Sequence, residues 1–339
     1  MVRQFLQKKG VHISAHTYFI TALSYMALGL FSSLIIGLII KTAGEQLQLA
    51  SLVEMGSFAM DNKVVGGAIG VAIAYGLKAP PLVLFSALFA GAFGNELGGP
   101  AGSYVAVLFA TEIGKLAYQT TKVDIIVTPL VTIVVGFFTG KLIGIPINTF
   151  MLWFGEVINW STEQRPFIMG ILVAVLMGWA LTAPISSVAI AFMLSLDGLA
   201  AGAAVIGCSA QMVGFAIASY RDNGFGGFLA QGIGTSMLQV PNILRKPIIL
   251  VPPTIAGIMM APIGTVLLKM TNNTAGAGMG TSGLVGQIMA FETMGFTWNV
   301  FASVLFVHII GPMIVSLLCT VLLMRLGLIR TGDMKIHYD

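Results

Sequence analysis

The chain has 339 residues, of which 57% are hydrophobic and only 9% charged, and its mean hydropathy is +0.94. Soluble domains carry roughly 25% charged residues, so these values exclude an ordinary soluble protein and place most of the chain in a bilayer. The net charge of +4 comes from basic residues scattered at loop ends, with no basic stripe interleaved with aromatics, which argues against a nucleic-acid partner.

In chain order, Met1-Val-Arg-Gln-Phe-Leu-Gln-Lys-Lys9 is basic like the start of a signal peptide. The apolar run from Thr17 to Ile40, however, exceeds a normal signal core and lacks a small-residue cleavage site. It is read as the first span, preceded by a basic segment over 1–16. Further apolar segments follow near 64–78, 80–94, 100–118, 124–144, 166–181, 184–196, 198–219, 247–268 and 298–325. The pattern predicts an all-α, polytopic transmembrane helical bundle over 17–330, of about ten segments, with a tail over 331–339. Segments 80–94 and 184–196 are too short to cross unaided and suit half-spans or hairpins. The 41 glycines and 13 prolines fit close helix packing and broken helices around protected cavities. Aromatic and polar residues at helical spacing over 147–160 suit a helix in the headgroup layer or a loop helix packed on the bundle.

With an even number of crossings, twelve of the 17 lysines and arginines fall on the side of the termini. The positive-inside rule then makes both termini cytoplasmic, in a bacterial inner membrane if the resemblance described below holds. Cys208 and Cys319 lie within apolar runs, so no disulfide framework is expected, and no His/Cys/Asp/Glu cluster has metal-ligand spacing.

Three landmarks recur in order. Leu77-Lys-Ala-Pro80 matches Leu181-Thr-Ala-Pro184; Gly98-Gly-Pro-Ala-Gly102 matches Gly198-Leu-Ala-Ala-Gly202; and Lys122-Val-Asp-Ile-Ile-Val-Thr-Pro129 matches Lys246-Pro-Ile-Ile-Leu-Val-Pro-Pro253. They suggest a duplication of 64–145 in 166–268, parallel or inverted, with an insertion in the second copy near Arg221 to Asn242.

Polar groups at membrane depth are costly and tend to face a cavity or a partner. Asn95 and Glu96, in Gly94-Asn-Glu-Leu-Gly-Gly-Pro-Ala-Gly102, sit at the break of the first copy and Asp197 at that of the second, lining a solute path or lying in external turns. In the insertion, Arg221 and Asp222 read as a surface pair, while Gln231, Thr235, Ser236, Gln239 and Asn242 are too many for a lipid-facing stretch. The segment Thr271-Asn-Asn-Thr-Ala-Gly-Ala-Gly-Met-Gly-Thr-Ser-Gly-Leu-Val-Gly-Gln287 contains G-x-G-x-x-G, but its flanks are spans rather than a βαβ unit, so no dinucleotide or other cofactor is expected. Its glycines, with Asn272, Asn273, Thr281, Ser282 and Gln287, suit a re-entrant loop that contacts a small polar solute through amides and hydroxyls, or else a flexible connector. Glu292 and the mid-span His308 follow as groups able to accept a hydroxyl or carry a proton.

Residues Gln239-Val-Pro-Asn-Ile-Leu-Arg-Lys-Pro-Ile-Ile-Leu-Val-Pro-Pro253 and Gly276-Ala-Gly-Met-Gly-Thr-Ser-Gly-Leu-Val-Gly286 resemble the EIIC-type membrane proteins of the phosphotransferase system, in the branch of perfringolysin O regulator-like proteins. The resemblance extends over about 15–325. It implies a permease fold for a sugar or related polar solute, a homodimer among membrane lipids, and separate EIIA and EIIB partners for any phosphotransfer, since no phosphorelay residues occur here. A membrane sensor without transport and an ion-coupled permease are the alternatives. Glu292 is the nearest analogue of the glutamate that many EIICs present to the sugar, although its Ala-Phe-Glu-Thr setting departs from their motif. Cysteines placed in the two terminal segments should be shielded from an impermeant thiol reagent in intact cells, and labelling of either would reverse the orientation.

Overall fold

An apolar segment at membrane depth must close its backbone hydrogen bonds within protein, and a helix is the one way for a single segment to do so. The computed structural model, which describes residues 6–336 other than 12, 184 and 186, is 83% helical, with 14 helices and no strand among the described residues. Six helices are long and apolar enough to cross a membrane, and Pro166–Thr182 is a shorter apolar one. The chain divides into two compact units, one up to residue 150 and one over 151–337.

The first unit holds α1 (Thr17–Leu47), α2 (Ala50–Ala59), α3 (Asn62–Gly76), α4 (Pro81–Ala117) and the start of α5 (Asp124–Thr162). The Asp61 carboxylate caps α3 by accepting the Lys63 N–H at 2.9 Å. Although α4 has 37 residues, it is not one rod. Gly98 (φ −145°, ψ 20°) and Gly99 (φ 59°, ψ −157°) leave the helix, and the second of these conformations is open essentially to glycine alone. Pro100 then opens the second arm, where a missing N–H costs nothing. A Cβ on Gly94 would lie 2.6 Å from the Gly102 carbonyl oxygen, and one on Gly114 3.0 Å from Val83. The two arms therefore run side by side, antiparallel, each roughly 25 Å long. The expected segments 80–94 and 100–118 are the arms of this hairpin. A Cβ on Gly91 would meet the Gly66 carbonyl oxygen at 2.1 Å, and one on Gly136 would meet Ala90 at 2.3 Å, so α3 and α5 both lie in backbone contact with it. No separate headgroup helix forms over 147–160: α5 continues through Pro146 to Thr162, as membrane helices can when their apolar pattern persists past a proline.

The second unit holds α6 (Pro166–Thr182), α7 (Ser187–Met193), α8 (Gly198–Ala218), α9 (Tyr220–Leu229), α10 (Val240–Arg245), α11 (Pro247–Leu267), α12 (Thr274–Ala277), α13 (Val285–Met294) and α14 (Trp298–Arg325). Its axis is α8, where Ile206, Met212 and Phe215 are fully buried. Small residues let neighbours approach it on several sides. A Cβ on Gly207 would lie 1.9 Å from the Ala174 carbonyl oxygen of α6, and one on Gly214 would crowd Pro253 of α11 and Ser316 of α14.

One candidate repeat falls in each unit. The order α3, first arm of α4, second arm of α4, α5 is paralleled by α6, α7, α8, α11. Each break carries a glycine with left-handed φ, Gly99 at 59° and Gly198 at 60°. The seven residues of α7 make a much shorter arm, and the landmark Pro184 lies outside the described residues.

Gly207→Ala should lower the melting temperature of the purified protein, since overpacking costs about 1–3 kcal/mol. Gly226→Ala, where an added Cβ meets nothing within 4 Å, should leave it unchanged or slightly higher.

Candidate functional site

The glycine-rich loop 271–287 is folded into the second unit, so it is not a flexible connector. Its side chains supply the hydrogen bonds that an irregular backbone lacks. Asn273 caps α12 by accepting the Gly276 N–H at 3.1 Å. Asn272, which is buried, donates to the Gly286 carbonyl at 2.8 Å, and its N–H reaches the Gly198 carbonyl at 3.1 Å. Ser282 donates to the Gly234 carbonyl at 2.6 Å, and Thr281 faces the Met212 sulfur at 3.5 Å. Gly280, with φ 55°, allows the loop to press on α8: a Cβ there would sit 2.7 Å from the Cys208 carbonyl carbon.

Where the loop enters α13, it brings together two residues singled out in the sequence. The Gln287 amide nitrogen lies 3.2 Å from His308 Nδ1 and 3.3 Å from Ser209 Oγ of α8. His308 is carried by the π-helical turn Leu305–Ile310 of α14, a distortion that often accompanies functional sites. All three side chains are at most 5% exposed. An amide nitrogen only donates, so Nδ1 accepts and the neutral ring carries its proton on Nε2. Gln287 Oε1 and His308 Nε2 are then a buried acceptor and a buried donor, and neither has a hydrogen-bond partner among the described residues. Ser209 was not legible as a site residue, since it stands in the small apolar run Gly207-Cys-Ser-Ala210.

Gln231 and Gln239 are also buried, but they meet each other and the C-terminal tail. Gln231 donates to Ser219 Oγ at 2.8 Å, Gln239 to Gln231 Oε1 at 2.8 Å and to the Met334 carbonyl at 3.0 Å, and Asn242 to Gln239 Oε1 at 2.9 Å and the Lys335 carbonyl at 3.0 Å. Asp222, expected to pair with Arg221, instead accepts the Gly332 and Met334 N–H groups at 2.8 and 3.1 Å. Asn223 donates to the Met334 carbonyl and accepts the Ile336 N–H, both at 2.8 Å. Lys246 pairs with Asp333 at 2.5 Å. Burial pushes the Asp333 carboxyl up, but the Lys246 hydrogen bond, the Arg330 N–H and both positive charges outweigh it and hold it below the usual carboxylate range.

In the first unit, Asn95 is buried and donates to the Asn62 carbonyl at 2.9 Å, while Glu96 is exposed and faces Lys63 at 3.4 Å. Glu292 is exposed on α13 and Asp197 at the start of α8. Two further polar groupings were missed. Lys115 is buried beside Glu112 at 3.1 Å and holds the Gly10 carbonyl at 3.2 Å. Thr182, Ser236, Gln211 and Thr254 form a hydrogen-bonded string across α6, α8 and α11, beside a largely apolar cavity of about 250 Å³ lined by Trp179, Val240, Ile243, Leu244 and Leu250. No group of three or more potential metal ligands occurs among the described residues.

A family model described as "Phosphotransferase system, EIIC" matches residues 20–336. The chain belongs to the phosphotransferase system EIIC family. It is thus a multi-pass EIIC membrane protein of the sugar permease type, whose partners are EIIA and EIIB proteins. Comparisons with curated proteins and with solved structures give no match.

The Asp333–Lys246 pair sets a pH dependence. Because the folded pKa of Asp333 lies below its unfolded value of about 3.9, the pair's contribution is fully present above that value and is lost as pH falls through the lower folded one. Protection of residues 329–336 from hydrogen exchange, corrected for intrinsic rate, should exceed that of Asp333→Asn at pH 7. The difference should close below about pH 4.

Proposed function

We propose that this EIIC chain binds a sugar or related hydroxyl-rich solute in its second unit, at the junction of the glycine-rich loop with α8 and α14. The observation that carries the reading is the unpartnered pair Gln287 Oε1 and His308 Nε2–H. A buried polar atom without a partner costs roughly 1–3 kcal/mol, and hydroxyls of a solute, each both donor and acceptor, can satisfy an open acceptor and an open donor in one cluster. Ser209, Asn272 and Ser282 hold the loop and the Gln287 amide in place. Phosphotransfer to the solute would come from separate EIIA and EIIB proteins. In this reading the protein works as a homodimer in a bacterial inner membrane, with both termini cytoplasmic, consistent with its lysine and arginine distribution.

The test is a thermal-stability screen of purified protein against sugars and polyols, since a ligand that binds only the folded state raises its melting temperature. Affinity is then measured for the compound found. His308→Phe and Gln287→Leu should each weaken binding by roughly 5- to 150-fold, the loss of one buried hydrogen bond; in the ligand-free protein each removes one open polar atom but also the bond between the two residues, so the melting temperature should change little. Glu292→Gln should change affinity less than twofold. Unaltered affinity in both core variants would move the site elsewhere, and a large loss in Glu292→Gln would move it to the exposed face of α13.

A further inference from the structure

We infer that the segment 219–246, which includes the insertion, is a binding cradle for a turn-forming peptide backbone, that its occupant is the chain's own segment 328–336, and that occupancy restrains the glycine-rich loop. The cradle reads main-chain groups, not side chains. Asp222 takes two N–H groups of the tail, Asn223 takes one carbonyl and one N–H, and Gln239 and Asn242 take carbonyls. The four side chains thus hold the backbone of Gly332–Ile336 in a turned conformation, which the Asp333 N–H to Arg330 carbonyl and Lys335 N–H to Gly332 carbonyl bonds close at 3.1 and 3.2 Å. Specificity comes from elsewhere: the Asp333–Lys246 ion pair and the buried Ile329, Met334 and Ile336. The matching peptide is short and able to turn, with an acid followed by methionine and then, two residues on, an aliphatic.

With the tail in place the Gln239 and Asn242 amides are buried and donate to its carbonyls. The cradle's connection inward is continuous. Gln239 bonds Gln231, Gln231 belongs to the π-helical turn Ala230–Gly234, and the Gly234 carbonyl accepts the Ser282 hydroxyl, five residues before Gln287. The consequence for solute handling rests on the function proposed above, whereas peptide binding and loop restraint do not.

The experiment uses the whole protein in nanodiscs and a variant ending at Gly327. Hydrogen exchange of residues 279–289 should rise at least tenfold on truncation and return towards the full-chain rate on addition of a synthetic peptide of residues 328–339. Exchange of Pro81–Ala117 should not change. A scrambled peptide, or the native peptide with Asn223→Ala and Asn242→Ala in the truncated protein, should not restore protection. Unchanged exchange of 279–289, or no rescue by the native peptide, would overturn the inference. If the truncated chain does not fold, full-length Asn223→Ala/Asp333→Asn keeps every apolar anchor. Trypsin should then cut after Arg330 and Lys335 at least tenfold faster than in the wild type, and equal rates would likewise overturn it.

Discussion

Backbone polar groups at membrane depth must find partners within the protein, and the arrangement of the second unit follows from that constraint. At several points where the chain leaves the helix, a side chain takes over the missing bond: Asn272 and Asn273 in the loop, Ser282 at its contact with the insertion, and Gln239 and Asn242 at the tail. Glycine plays the complementary part. It lets irregular backbone press directly against helices, as Gly280 does on Cys208 and Gly202 on Met270. A loop so thoroughly satisfied stands out where satisfaction stops, at Gln287 and His308.

The helical class was legible because runs of about 20 apolar residues leave little alternative. The break at Gly98-Gly99 was legible too, from two glycines before a proline, but the direction of the chain beyond it was not. That depends on close approaches such as Gly94 to Gly102, which are contacts in space rather than a sequence pattern. The continuity of α5 was missed because Pro146 and the aromatics after it suggested a new element.

At the site, composition identified which side chains had to be buried in a polar setting but not what each would meet. Gln287 and His308 were selected separately and proved to be neighbours across 21 residues. Gln231 and Gln239 were selected for the same reason, yet their neighbours are the tail, 95 residues beyond Gln239. Such long-range pairing leaves no periodicity to read. Glu96 and Glu292, conspicuous in an apolar chain, are exposed, while the buried Ser209 carried no signal at all.

The central claim is that a buried, neutral His308 with its proton on Nε2 and the Gln287 amide each bond a hydroxyl of the solute. Nitrogen-15 NMR of histidine-labelled protein tests it most directly, with His308 assigned among the four histidines by comparison with His308→Phe. The account predicts an Nε2–H tautomer in the free protein and a shift of the Nε2 resonance, with Nδ1 little changed, at saturating solute. A proton on Nδ1, or an Nε2 signal that does not respond to a solute shown to bind, would contradict it.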